Sequence, residues 1–109
     1  MKKGSEFGTN VEQLADISKA IGHPARISIL LFLMDNGAST CQDIVDKLPY
    51  SQSTVSGHLQ KLKEGGYIQV KSHKTSSIYT LRTESLTELL SLVQEVFKLK
   101  AEKKQLSLF

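Results

Sequence analysis

Three residues, Leu48-Pro49-Tyr50, constrain this chain most, because helical signals stand close on both sides of them. On the N-terminal side Thr40 and Asp43 have the spacing of a capping box. Ile44, Val45 and Leu48 then recur on one apolar face, and Pro49 stops the run. On the C-terminal side Ser51 is suited to cap a second helix, since its hydroxyl can accept from a free N–H of the first turn. Val55, Leu59 and Leu62 stand at i, i+4 and i+7, and Gly65-Gly66 supplies the left-handed geometry that ends helices. Two helices joined by so short a turn form a helix-turn-helix.

The second helix has an unusual outer face. At 100° per residue, Ser53, Gly57, Gln60 and Glu64 lie opposite the apolar stripe, flanked by Thr54, Ser56 and Lys61. A solvated face usually carries longer charged residues. Short polar side chains suit a helix that must approach base edges in a DNA groove. Gln52, Ser53, Thr54, Ser56 and Gln60 are therefore the candidate base readers, because Gln can pair bidentately with adenine and Ser or Thr can serve several bases. Gln52 and Ser56 have a second reading as residues that cap or brace the helix. Gly57 costs helix stability, about 1 kcal/mol relative to alanine. It reads either as a place where the backbone comes close to another molecule or as a tolerated defect.

Charge supports the same partner. Residues 51–82 hold five cations, Lys61, Lys63, Lys71, Lys74 and Arg82, against Glu64 alone, a net +4. Residues 10–50 hold three cations against five acids, a net −2. The whole chain is only +3, so the positive charge is concentrated in and after the second helix. That is the footprint of a phosphate-facing surface, and the five cations are candidate phosphate contacts.

Around this centre the remaining elements follow. Asn10 to Ile21 reads as a first helix, with Asn10 as cap and Gln13 at the capping-box distance. Pro24 suits the first turn of a helix running to about Asn36. Ile27, Ile29, Leu30, Leu31, Phe32, Leu33 and Met34 make it apolar almost all round, which predicts burial on most sides. Tyr67–Ser72 and Ile78–Arg82 alternate as strands about a polar loop, His73–Ser77. A long last helix starts at Thr83 or Ser85 and runs to about Lys100. Its apolar residues spread wider than a small domain can cover, so Leu86, Leu89, Leu90, Val93, Val96 and Phe97 are the candidate dimer seam. The predicted fold is mainly α (α+β): a winged helix-turn-helix of five helices with a two-stranded β-hairpin wing.

The 109 residues suffice for one domain, placed at residues 10–100. Residues 1–9 read as a disordered N-terminal segment or a cloning remnant, and 101–109 as a flexible tail. No apolar run approaches the roughly 20 residues that cross a bilayer, and Lys2 and Lys3 precede no apolar leader. One cysteine, Cys41, allows no internal disulfide framework. The expectation is a cytoplasmic protein without a membrane partner.

The order of elements resembles the winged helix-turn-helix repressors of the ArsR family. The resemblance spans about Leu14 to Phe97. It is carried by Ile21-Gly-His-Pro-Ala-Arg-Ile-Ser-Ile-Leu30, by Ser51-Gln-Ser-Thr-Val-Ser-Gly-His-Leu-Gln-Lys-Leu62 and by Gly66-Tyr-Ile68. It implies that Ser51–Lys61 enters the major groove and that the first and last helices build a symmetric dimer. The chain departs from the family in three places. Thr40 and Gln42, with Cys41 between them, stand where many members have a Cys-x-Cys pair. Residues 83–100 contain no histidine, cysteine or aspartate to serve as the last-helix metal ligands of other members. No glycine stands at the wing tip, His73–Ser77.

Two further classes are weighed against a DNA-binding homodimeric repressor. One is a winged-helix protein-interaction module without DNA. The other is a thiol-based redox regulator through Cys41, since a thiol near a helix N-terminus has a lowered pKa; a small buried residue is the plainer reading. His58 leans to the buried flank of its helix, which suits packing or a hydrogen bond, and His23 reads as a helix-start residue. No Ser, His and acid are placed as a catalytic set and no phosphate-binding glycine loop occurs, so no enzyme, cofactor or metal site is expected.

Overall fold

A computed structural model describes residues 8–99. Its elements are α1 (Thr9–Ile21), α2 (Pro24–Asn36), α3 (Cys41–Lys47), α4 (Gln52–Glu64), β1 (Ile68–His73), β2 (Ser76–Leu81) and α5 (Thr83–Phe97). Five helices and a two-stranded antiparallel sheet are thus the winged helix-turn-helix that the sequence predicts.

The core lies where α2, α3 and α4 meet the base of the hairpin. Ile29, Leu30 and Leu33 of α2 pack with Ile44 of α3, with Val55, Leu59 and Leu62 of α4, and with Tyr67 and Ile68 at the entry to β1. Tyr67 is fully buried, and its hydroxyl donates to the Ile17 carbonyl of α1 at 2.9 Å. A Cβ on Gly65 would collide with the Cβ of Ala20, so glycine lets the end of α4 approach α1. The left-handed turn that ends the helix falls on Gly66, at φ 82°. Ser39, between α2 and α3, exchanges both backbone hydrogen bonds with Tyr79 and ties the helices to the wing.

The capping box on α3 forms in full: Thr40 Oγ1 accepts from the Asp43 N–H at 3.1 Å, and Asp43 Oδ2 accepts from the Thr40 N–H at 2.9 Å. Helix α1 differs from expectation. Its cap is Gly8, and Thr9 and Asn10 lie inside the helix. Asn10 is recruited across the domain instead, where its Nδ2 donates to Glu95 Oε2 of α5 at 3.3 Å. Gln13 does the same with Glu88 at 3.1 Å.

Helix α2 is not buried on most sides. Ala25, Ile29, Leu30 and Leu33 are sealed, but Ile27, Leu31 and Met34 stand about half exposed on the opposite side. Helix α1 bends away from it by 81°. The expected five-residue wing loop is also too long. His73 pairs with Ser76, leaving a two-residue turn, Lys74-Thr75. Lys74 takes φ 57° there, a left-handed conformation that is uncommon without glycine. Helix α5 stops at Phe97, where Lys98 is left-handed at φ 54°. Most of residues 1–9, and all of 101–109, lie outside the described residues. Among the described residues no single helix is long and apolar enough to cross a membrane.

Candidate nucleic-acid interface

The geometry of α4 follows from its two ends and its inner face. Ser51 is extended, at φ −72° and ψ 163°, and its Oγ accepts from the Thr54 N–H at 3.3 Å. This fixes where the helix starts. Val55, Leu59 and Leu62 are sealed in the core and fix its rotation. With one side held, the other must face outward. Gln52, Ser53, Thr54, Ser56, Gly57, Gln60, Lys61 and Lys63 are all exposed. The structure therefore gathers every candidate of this helix on its free surface. A Cβ on Gly57 would meet no atom within 4 Å, so nothing among the described residues requires glycine there.

Several of these side chains satisfy one another locally. Ser51 Oγ donates to Thr54 Oγ1 at 2.9 Å and lies 3.3 Å from Ser53 Oγ. Gln60 Nε2 donates to Glu64 Oε2 at 3.1 Å, and Lys61 Nζ lies 3.8 Å from Glu64 Oε1. All of these groups are exposed, where such contacts are weak and exchange readily for others. The wing adds Lys71 on β1 and Lys74 at the tip, both exposed. Arg82, directly after β2, is half-buried. Its Nη1 donates to the Gly66 carbonyl at 3.3 Å, and its Nη2 lies 3.9 Å from Glu84. The guanidinium thus links the α4–β1 junction to the start of α5.

The inner flank of α4 holds a polar cluster that the motif reading did not assemble. His58 Nδ1 accepts from Arg26 Nε at 3.1 Å. Arg26 Nη1 also donates to the Ala20 carbonyl at 3.2 Å, at the end of α1. The His23 ring lies 4.5 Å from that of His58, centre to centre. His23 is the cap of α2, its Nδ1 accepting from the Ala25 N–H at 3.0 Å. Both histidines thus have the structural roles that their positions suggest. The part that sequence reasoning missed is Arg26, whose place directly after Pro24-Ala25 put it on the first turn of α2, near whatever α4 presents.

Cys41 is the first residue of α3 and packs half-buried against the core. Burial pushes its thiol pKa up, the opposite of the lowering expected from the helix end. The thiol is thereby made less reactive. Among the described residues no three of His, Cys, Asp and Glu come together as metal ligands. The donors available at the family's positions, Cys41 alone on α3 and only carboxylates on α5, do not fit a soft or borderline metal ion.

The proposed dimer residues lie along α5. Leu92 is buried, Leu86, Leu89, Val93 and Val96 are half-buried, and Leu90 and Phe97 are exposed. Within the described residues α5 packs mainly against α1, and Leu86 at its start reaches the core.

Three comparisons place this geometry among known proteins. The family described as "Bacterial regulatory protein, arsR family" matches residues 23–70, from the cap of α2 through the first half of β1. The chain is 35% identical over 85 residues to an uncharacterized HTH-type transcriptional regulator of Methanocaldococcus jannaschii, covering 78% of this chain and 96% of the relative. An ArsR-like transcriptional regulator from a Rhodococcus species superposes with a TM-score of 0.72 at 18% identity, over 81% of this chain and 82% of the other. The homodimeric winged helix-turn-helix DNA-binding domain of a possible ArsR-family regulator from Mycobacterium bovis does so with a TM-score of 0.64 at 29% identity, over 84% of each chain.

Proposed function

The chain belongs to the arsR family of bacterial regulatory proteins, and from that premise we propose that it is a homodimeric repressor that reads an imperfect palindrome through α4 and answers to no metal at the family's usual positions. It is a transcriptional regulator with a DNA-binding helix-turn-helix, and not an enzyme. One observation carries the finer reading: the outward face of α4 is composed of short polar side chains and a glycine, all exposed, on a helix whose other face is sealed. Short polar side chains on a rigid backbone suit a helix that reads base edges at close approach. Gln52, Ser53, Thr54, Ser56 and Gln60 are then the base readers, with Gly57 at the closest approach. Lys61 and Lys63, with Lys71 and Lys74 of the wing, contact phosphates. Such a regulator works in the cytoplasm, where the DNA is.

Dimerisation follows from the exposed apolar residues of α5, and the homodimeric neighbour supports it. A two-fold dimer would set two α4 helices about 34–36 Å apart, one turn of DNA. Without a fitting metal site the inducing signal is of another kind, and release by zinc or arsenite is not expected.

The test separates phosphate contacts from base readers. Lys61→Ala should weaken binding to all duplexes by a similar factor and lower the salt slope by about one unit. Ser53→Ala should cost about 1–3 kcal/mol at one base pair and relax preference there. Fluorescence anisotropy against the protein's own upstream DNA and a scrambled duplex reads both. Unchanged affinity in both variants would move the interface off α4.

A further inference from the structure

The cluster behind the reading face has its own chemistry. Arg26 is tied to all three helices that meet there. It belongs to α2, donates to the last turn of α1 through Ala20, and donates to the middle of α4 through His58. Apolar packing does not require this link, because Val55, Leu59 and Leu62 already seat α4. His58 immediately follows Gly57 and lies two residues before Gln60, so its bond to Arg26 acts in the middle of the reading surface.

A guanidinium has donors only. The Arg26–His58 bond therefore exists only while His58 Nδ1 carries no proton. Protonation removes the acceptor and sets a second cation against the first, with the His23 ring tilted by 47° against that of His58 at 4.5 Å between centres. The geometry points to Arg26 and His58 as a positioning pair for α4 that closes when His58 is neutral and opens on protonation, so that mild acid weakens DNA binding. This rests on the reading of α4 as the DNA-contacting helix.

The surroundings of His58 favour the closed state near neutral pH. Burial first, then the charges of His23 and Arg26, push its pKa below the ordinary 6.5. Asp16 and Lys19 of α1 and Lys61 and Glu64 of α4 line the cleft that Arg26 shares. The charged groups of α3 (Asp43, Asp46, Lys47) and of β1 (Lys71, His73) are not among the influences on His58. The sign is fixed by linkage. Between the lowered folded value and the ordinary 6.5, the unfolded chain binds this proton more readily than the folded one. The contribution of the neutral pair is therefore complete above about 6.5 and is lost as pH falls from there through the folded value.

The direction is diagnostic, because added positive charge by itself tightens binding to phosphates. Full-length chain carrying His73→Gln, which removes the wing imidazole from the profile, should lose about twofold or more in affinity for a labelled random-sequence duplex at low salt between about pH 7.5 and 5. Adding His58→Asn should abolish that loss, because the amide Oδ1 can stand where Nδ1 does and does not titrate. Arg26→Gln keeps a donor without the charge, and should shrink the loss while binding at neutral pH persists. Circular dichroism at both pH values verifies that each variant is folded. The same pH course with and without the His58→Asn substitution, or a loss undiminished by Arg26→Gln, would overturn this proposal alone. Binding at neither pH by any folded variant would overturn the reading-helix assignment and this proposal with it.

Discussion

Helices α4 and α5 both carry apolar stripes, yet the fold completes one and leaves the other open. In α4 the three stripe residues Val55, Leu59 and Leu62 retain at most 1% exposure. In α5, two residues longer, Leu92 alone is sealed, while Leu90 and Phe97 remain 58% and 65% exposed. The difference separates two ways of presenting a surface. α4 is held by its own chain on one side, so its polar side is a fixed relief ready for another molecule. α5 is held on one flank by α1, and the apolar area it leaves uncovered calls for a protein surface.

The comparison breaks most visibly at Leu59. Truncating a fully buried leucine costs its transfer free energy and leaves a cavity, about 2–5 kcal/mol in all. Leu59→Ala should lower the urea midpoint accordingly and take DNA binding with it, because the same side chain sets the rotation of α4. A loss below about 1 kcal/mol would mean that α4 is not seated by this stripe.

The opposite test belongs on α5. Leu90 is exposed in the protomer, so Leu90→Glu should leave a single subunit folded. In a dimer seam it would bury an unpaired carboxylate, at a cost of about 3 kcal/mol, or roughly 150-fold in dimer affinity. Sedimentation should find monomer, and binding to a palindromic duplex should fall toward that of one half-site. A variant that stays dimeric would move the seam away from this face of α5.

These two helices also mark how far the sequence was legible. Local signals carried a great deal: the Thr40–Asp43 box, the Ser51 cap and the 55-59-62 stripe all form as their spacing requires. Each depends on atoms only a few residues apart. The misses are the places where distant partners decide. Asn10 has a good capping side chain, but Glu95 of α5 claims it. Arg82 belongs by count to the basic segment, but the Gly66 carbonyl and Glu84 hold it. Ile27, Leu31 and Met34 are apolar like their neighbours, but no element of the described chain covers them. Arg26 has no motif of its own, and its role exists only because α2 starts beside His58. The turn at Lys74-Thr75 depended on strand register, which a polar five-residue loop leaves open.

The smallest effect, and the sharpest, is at Gly57. On a sealed helix with a free outer side, an inserted methyl has no neighbour to strike among the described residues. Gly57→Ala should therefore stabilise the fold by about 1 kcal/mol through helix propensity, raising Tm by about 4–8 °C for a domain of this size. If the glycine serves close approach, that same methyl stands between the backbone and the groove. Affinity for duplex DNA should then fall by roughly tenfold, about 1.4 kcal/mol, in a protein that has become more stable. The two readouts move in opposite directions, so a loss of binding cannot be ascribed to a loss of fold. Measured on one preparation by urea denaturation and anisotropy, a gain in stability with unchanged affinity would make Gly57 a plain defect on a solvated helix. The closest approach of α4 to DNA would then lie nearer its N-terminus, around Gln52 and Ser53.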